Sequence, residues 1–378
     1  MSIETIVTRA WQRQALWLWL LLPISWLYGF ITILRRQAYK IGLLASYRAP
    51  IPIMVIGNIS VGGSGKTPLI IALVNELQSR GVKVGVVSRG YGGDTSQMPA
   101  LVNIDSLPNI VGDEPCLIVS MTGAAMAVCP NRQQAVTTLL DAYPDLQLII
   151  ADDGLQHYAL QRDIEWIVVD AARGFGNEQL LPTGFLREPM SRLEGANVIY
   201  HEKLETEAVY QDNNTLPLAS RSTMHLMPDK LQRLWQLKLT DAKATDSKVK
   251  IDMPEKGSQV HAVSGIGYPQ RFFGTLDSIG FEVIGHPYSD HYDFSLAELL
   301  QYRDYPIVIT SKDAVKIRAL LVEYTSKQAL SDEYEELASR LWVLPVTAVL
   351  SDSCYDNLDE QLKILGIQSD PDISIKTT

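Results

Sequence analysis

A short apolar run, Ile53 to Ile56, leads into Gly57-Asn58-Ile59-Ser60-Val61-Gly62-Gly63-Ser64-Gly65-Lys66-Thr67, and no other stretch restricts the fold of this chain so tightly. After Thr67, Leu69, Ile70, Leu73, Val74 and Leu77 recur at helical spacing, and Gly81 stands at a usual helix stop. Strand, glycine-rich turn and helix thus follow in the order a phosphate-binding loop requires. Gly62, Gly63 and Gly65 let backbone N–H groups converge on an anion at the positive end of the helix. Lys66 brings a charge to the terminal phosphates, and the Thr67 hydroxyl suits Mg²⁺. Ser60 occupies the place where the strict motif G-x-x-x-x-G-K-[ST] has glycine. On this reading Ser60, Val61, Gly62, Gly63, Ser64, Gly65, Lys66 and Thr67 bind the triphosphate of ATP. The fold class that follows is α/β, a P-loop NTPase-like doubly wound sheet.

Further segments sit where such a sheet places ligands. A second strand, Leu146 to Ala151, ends in Asp152-Asp153-Gly154-Leu155-Gln156-His157. An acidic residue delivered by a hydrophobic strand is the usual Mg²⁺ partner, and adjacent positions send the two carboxylates in different directions. Ser88-Arg89-Gly90-Tyr91-Gly92-Gly93 follows the strand Val82 to Val87 and offers a cation and an aromatic ring at its C-terminal end. Gly112-Asp113-Glu114-Pro115 reads equally as a carboxylate pair for chemistry and as an ordinary helix cap. Arg187, in the loop Leu181 to Pro189, either neutralises charge on a transferred phosphoryl group or pairs with Glu188 on the surface.

From Ala15 to Leu34 there is no charged residue, about the length a helix needs to cross a bilayer. Trp11, Trp17, Trp19, Trp26 and Tyr28 favour the membrane boundary, and Arg9, Arg13, Arg35, Arg36, Lys40 and Arg48 flank the segment. Pro23 and Gly29 are expected to kink or loosen it, and Ser25, Tyr28 and Thr32 give it a more polar stripe. A single span and a helix lying in the interface both fit; a cleaved signal peptide would separate the phosphate loop from ATP. The net charge of −10 argues against broad nucleic-acid binding. Three scattered cysteines, Cys116, Cys129 and Cys354, support neither a metal cluster nor a disulfide scaffold.

The second half alternates strands (Val260 to Val263, Phe281 to Ile284, Ile307 to Thr310, Trp342 to Val346) with a helix through Phe272 to Ile279 and one from Ser295, and reads as a smaller α/β domain. Leu239 to Gln259 is polar and reads as a linker. The expected organisation is an N-terminal helix over 1–40, a P-loop domain over 41–215, a connection over 216–259 and the second domain over 260–370. Gly265-Ile266-Gly267 lacks the third glycine of a dinucleotide loop. His291 lies on a loop between Asp290 and Tyr292, where a histidine is more often structural than catalytic.

Taken in series, these segments resemble one family, the tetraacyldisaccharide 4′-kinases of lipid A biosynthesis. The resemblance is carried by the hydrophobic N-terminus, Gly57-Asn58-Ile59 with Gly62-Gly63-Ser64-Gly65-Lys66-Thr67-Pro68, Ser88-Arg89-Gly90-Tyr91-Gly92, Gly112-Asp113-Glu114-Pro115, Asp152-Asp153-Gly154-Leu155-Gln156-His157, Leu186-Arg187-Glu188, Asp290-His291 and Lys312-Asp313-Ala314, from about Trp11 to Val349. Ser60 in the loop is shared by the family pattern. The resemblance implies an enzyme of the cytoplasmic face of the bacterial inner membrane, peripheral or anchored by one helix, that moves the ATP γ-phosphate to the 4′-hydroxyl of an acylated glucosamine disaccharide 1-phosphate. It implies Asp113 as catalytic base with His291 as its partner, Asp153 and Arg187 as further catalytic groups, Thr67 and Asp152 on Mg²⁺, and Arg89, Tyr91, Gln156 and His157 at the acceptor. Because Asp113 and His291 belong to different domains, their meeting requires closure. Two other readings are a membrane-recruited P-loop ATPase without a lipid acceptor and a nucleotide-gated anchor. The anchor has no use for Asp113, Asp152, Asp153 and Arg187.

Overall fold

The computed structural model describes residues 7–8, 10–11, 13–202, 221–235 and 253–368. Arg9 and half of the expected connection, 216–220 and 236–252, lie outside the described residues. Two twisted sheets organise the rest.

The larger sheet has nine strands in the order β14-β8-β7-β6-β1-β5-β2-β4-β3. They are β1 (Ile53–Gly57), β2 (Val84–Ser88), β3 (Ala100–Val102), β4 (Ala125–Val128), β5 (Leu148–Asp152), β6 (Ile164–Asp170), β7 (Asn197–Glu202), β8 (Ser222–Pro228) and β14 (Val346–Leu350). Only β3 and β14, at the two edges, run antiparallel to their neighbours. The interior strands read as continuous hydrophobic runs because helices cover both faces. Met54 and Ile56 point into one core, with Leu69 and Leu73 of α2 (Lys66–Ser79) and Ile118 of α4 (Asp113–Thr122). Ile53 and Val55 point into the other, with Val136 and Leu139 of α5 (Arg132–Ala142). The one-turn α3 (Pro108–Val111) precedes α4.

The smaller sheet has the order β11-β10-β12-β13-β9, from β9 (Gln232–Arg233), β10 (Gln259–Ser264), β11 (Glu282–Pro287), β12 (Ile307–Thr310) and β13 (Leu341–Leu344). Its helices are α6 (Pro269–Ser278), the single turn α7 (Leu296–Leu299), α8 (Ser311–Lys327) and α9 (Asp332–Arg340). Ser295 and Glu298 form a capping box at α7, so the helix expected from Ser295 begins there, but it lasts one turn.

The expected boundaries differ from these sheets. The single strand read over Trp342 to Val346 is two strands: Pro345 has no N–H for the ladder and separates β13 from β14. β14 then leaves the second domain, pairs with β8 and buries Ala348 and Leu350 beside α2. Helix α10 (Asp352–Ile364) follows it back to the large sheet. β8 and β9 were both inside the segment read as a connection; β8 alternates buried Ser222 and Met224 with half-polar neighbours, which hid its period.

A 3₁₀ segment, Leu16–Leu21, opens into α1 (Leu22–Lys40). Pro23 sits in the first turn, where its missing N–H is tolerated and the 3₁₀ segment gives way to α-helix, and α1 continues past Gly29 to Lys40. Ser25 and Gly29 are its buried residues. The Ser25 hydroxyl donates to the Thr183 hydroxyl (2.8 Å), Tyr28 to the Arg187 carbonyl (3.0 Å) and the Trp11 indole to the Pro182 carbonyl (3.0 Å). A Cβ on Gly29 would lie 2.7 Å from Leu180, so the glycine permits this close approach. Ser25 and Tyr28 of the polar stripe therefore dock on the protein, while the Thr32 hydroxyl donates to the Tyr28 carbonyl of its own helix (2.9 Å). Trp17, Trp19, Trp26, Leu27, Phe30 and Ile31 remain exposed on the outside.

Candidate active site

The phosphate loop is held from three sides. A Cβ on Gly57 would lie 2.6 Å from Leu155, so the end of β1 needs glycine against the neighbouring strand's turn. Buried Asn58 then ties the loop across its base: its amide nitrogen donates to the Gly62 carbonyl (3.3 Å) and its oxygen accepts from Lys66 (3.1 Å). On the flank, the Val61 N–H donates to the Phe185 carbonyl (2.8 Å) and the Arg187 N–H to the Ile59 carbonyl (2.6 Å). Gly62 and Gly65 adopt φ of +100° and +96°, conformations that side chains oppose, and Gly65 caps α2. Ser60 to Thr67 thus forms one continuous turn into a helix N-terminus.

Two adjacent carboxylates meet this loop differently. Asp152, the last residue of β5, is buried; one oxygen accepts from the Ser88 hydroxyl (3.0 Å), and the other is buried without a hydrogen-bond partner. Burial, then the nearby Glu114 and Asp153 charges, pushes its carboxyl up to about 7. Asp153 turns away with φ of +46° and pairs with Lys66 (3.2 Å) and Arg187 (3.0 Å). Burial favours its protonated form, but these two cations outweigh it and hold the carboxyl far below the ordinary range. Glu188 accepts from Gln156 (2.8 Å) and Tyr158 (2.8 Å) and pairs with Arg192 (3.2 Å). The surface pairing of Arg187 with Glu188 is therefore not formed; Arg187 faces Asp153.

Gln156 also donates to the Asn58 carbonyl (3.1 Å), so its amide nitrogen braces the loop. Burial, followed by the Arg132 and Arg162 charges, lowers the His157 imidazole to about 4 and keeps it neutral near pH 7. Arg89 and Tyr91 are exposed on the loop after β2, and the Tyr91 ring lies 4.8 Å from that of His291.

The second domain closes the arrangement. α4 begins at Asp113, after Gly112, whose Cβ would lie 2.6 Å from the Tyr91 carbonyl. Gly112, not Asp113, is the cap residue of α4 and no side chain caps this helix; Asp113 accepts from the Glu114 N–H (2.9 Å) and faces the His291 Nδ1 atom at 3.0 Å. Burial pushes its carboxyl up, while the His291 hydrogen bond and the Lys312 and Lys316 charges prevail and hold it below the usual range. His291 has φ of +56° and donates its N–H to the Gly265 carbonyl (3.0 Å). Lys312, in the first turn of α8, lies 3.1 Å from Glu114, 3.2 Å from Asp290 and 3.1 Å from His291 Nε2. The two domains thus meet here without further closure. A Cβ on Gly267 would lie 3.1 Å from Asp290 and 3.2 Å from the Gly63 nitrogen, so the turn after β10 links this cluster to the phosphate loop.

Among the described residues, no three His, Cys, Asp or Glu side chains converge as a complete metal cage. The partnerless Asp152 oxygen instead suits Mg²⁺, which takes one or two protein carboxylates and completes its shell with phosphates and water. Residues given no site role from the sequence also stand here: Asn58, Lys312, Lys316 and Arg132, whose guanidinium donates to the Asp152 carbonyl (2.7 Å), together with Glu114 of the carboxylate pair noted above. Asn58 and Lys312 had a signal, since both lie in segments that carry the resemblance and Ser311-Lys312-Asp313 directly follows a strand. Arg132 had none beyond position.

The sequence model of a family described as LpxK, tetraacyldisaccharide-1-P 4′-kinase, matches residues 17–363. A protein of Psychrobacter cryohalolentis named tetraacyldisaccharide 4′-kinase is 71% identical over 378 residues, covering 100% of both chains. One of Ectopseudomonas mendocina with the same name is 39% identical, covering 96% of this chain and 98% of its own. A solved chain of LpxK from Aquifex aeolicus, described as an "apo" form in complex with ATP, shares 24% identity at a TM-score of 0.64, covering 91% of this chain and 98% of that one. That likeness concerns the fold.

Proposed function

The chain belongs to the tetraacyldisaccharide-1-P 4′-kinase family, and from that premise we propose that it transfers the γ-phosphoryl group of ATP to the 4′-hydroxyl of an acylated glucosamine disaccharide 1-phosphate. The observation that carries this reading is the approach of Asp113 to His291 beside a phosphate loop bearing Lys66. An ATPase needs only to orient water; a buried carboxylate aligned by a second domain suits a bulky sugar acceptor.

In the proposed reaction Asp113 orients the acceptor hydroxyl. Its oxygen bonds to the γ-phosphorus as the bond to the β–γ bridging oxygen breaks, ADP leaves, and the hydroxyl proton passes to the Asp113 carboxylate. The transition state is loose, so orientation and charge neutralisation dominate, and late proton transfer is enough. Lys66 and Arg187 supply positive charge, held in place by Asp153. Mg²⁺ held by Asp152 and Thr67 would screen the phosphates from one another. Arg89 and Tyr91 project where the acceptor's headgroup arrives. The exposed face of α1, with Trp17, Trp19, Trp26 and Phe30, rests in the cytoplasmic leaflet of the inner membrane and brings the site to a lipid substrate.

Labelled ATP, Mg²⁺ and an acylated disaccharide 1-phosphate in detergent separate the readings. Label should reach the lipid at the 4′-position. Label appearing only as free phosphate would favour the ATPase, and no release at all would favour a passive anchor.

A further inference from the structure

We infer that Lys312 is a positioning residue: it fixes His291 in the Nδ1–H tautomer, so that the Asp113–His291 pair acts as an aligned carboxylate and not as a proton relay. This rests on the reading of Asp113 and His291 as the acceptor-activating pair.

An ammonium has three donors and no acceptor. Lys312 Nζ lies 3.1 Å from His291 Nε2, so that ring nitrogen must present its lone pair. The ring proton then sits on Nδ1, which lies 3.0 and 3.1 Å from the two Asp113 oxygens, both acceptors. The opposite tautomer would set N–H against ammonium on one side and lone pair against carboxylate on the other. Both contacts would be lost together.

The ammonium is itself fixed. Glu114 of α4 and Asp290 beside His291 hold it from two elements, and its side chain is 13% exposed. Lys316 lies on the other side of the pair, 3.6 Å from Asp113 and donating to the Tyr292 carbonyl (2.6 Å), while Lys312 is the ammonium at the imidazole Nε2. With Nδ1 already a donor and Nε2 covered by an ammonium, the ring has no free site for a proton from Asp113. The proton taken from the acceptor therefore stays on the carboxylate until product leaves. His291 aligns the carboxylate and shares its charge.

The test is ¹⁵N-histidine NMR of the full chain in detergent, with His291 assigned among the six histidines by its loss in His291→Asn. The wild-type ring should show a protonated Nδ1 and an unprotonated Nε2. Lys312→Met should mix the tautomers and lower kcat at least about 10-fold with KM for ATP unchanged, since proton-transfer catalysis is worth more than that; Lys312→Arg should restore most of both. A wild-type Nε2–H tautomer overturns the inference even where Lys312→Met does not fold. So does a folded Lys312→Met with wild-type spectrum or wild-type kcat. If His291→Asn is inactive while either of those results holds, only the role of Lys312 falls. If His291→Asn keeps full activity, the pair itself is wrongly read.

Discussion

The ammonium of Lys66 stands 3.2 Å from Asp153 and 3.1 Å from the Asn58 amide oxygen, so the protein's own side chains set the position of the cation meant for the terminal phosphates. Charge held in place beforehand costs no reorganisation at the moment of reaction. Lys66→Ala is expected to lower kcat about 10²- to 10³-fold. Asn58→Ala, which only loosens the loop, should raise KM for ATP with a smaller loss of kcat; nucleotide titrations with steady-state rates compare the two.

Asp113→Asn keeps the shape and removes the base. A loss of about 10²- to 10⁴-fold in kcat is expected, with little change in KM for ATP. Full turnover by this variant would exclude the carboxylate from the reaction.

Asp152 links metal to pH. Its folded carboxyl is raised to about 7 by burial and by Glu114, so the stability it contributes is complete below the ordinary carboxyl range and disappears as pH rises through about 7. A divalent cation must displace that proton, so the Mg²⁺ concentration for half-maximal rate should fall between pH 6 and 8. Asp152→Asn should need far more Mg²⁺ and lose the trend, and chelation with EDTA should stop transfer at every pH.

His201 has the opposite sign. Burial, with help from the Arg271 charge, lowers its imidazole to about 4, below the ordinary value of about 6.5. The unfolded chain binds the extra proton between these values, so the stability is present above about 6.5 and is lost as pH falls towards 4. The loss is of order 3 kcal/mol at most. Denaturant melts at pH 7.5, 6 and 5 should show it, and His201→Gln should flatten the slope.

Two faces of α1 should respond differently to mutation. Trp26→Glu with Phe30→Glu places charges on the exposed face and should reduce partitioning into anionic vesicles at least about 10-fold, leaving the melting temperature unchanged. Ser25→Leu, against Thr183, should instead lower the melting temperature. Equal partitioning by the charged variant would remove the exposed face from membrane contact.

Around the phosphate loop the fold was legible because every local cue agrees: a buried five-residue strand, glycines at positive φ, and a helix whose apolar spacing begins at Leu69. Asp152 and Asp153 do point apart as expected, but through the left-handed turn that follows the end of β5 at Asp152, not through strand alternation. The contact of Asp113 with His291 did not, since 178 positions and two sheets separate them, and only the resemblance coupled the two. The crossing of β14 was hidden because the apolar run Trp342 to Val346 reads as one strand straight through Pro345, where the chain in fact passes from one sheet to the other. Asp153 and His291 both adopt left-handed backbone; Asp and His tolerate it better than most residues, but residue type alone does not single out these two positions.

The turn that sets Gly267 against the Gly63 amide also grips His291 through Gly265. A side chain added at Gly267 would therefore be felt on both sides of the turn, at the phosphate loop and at the loop that carries the imidazole.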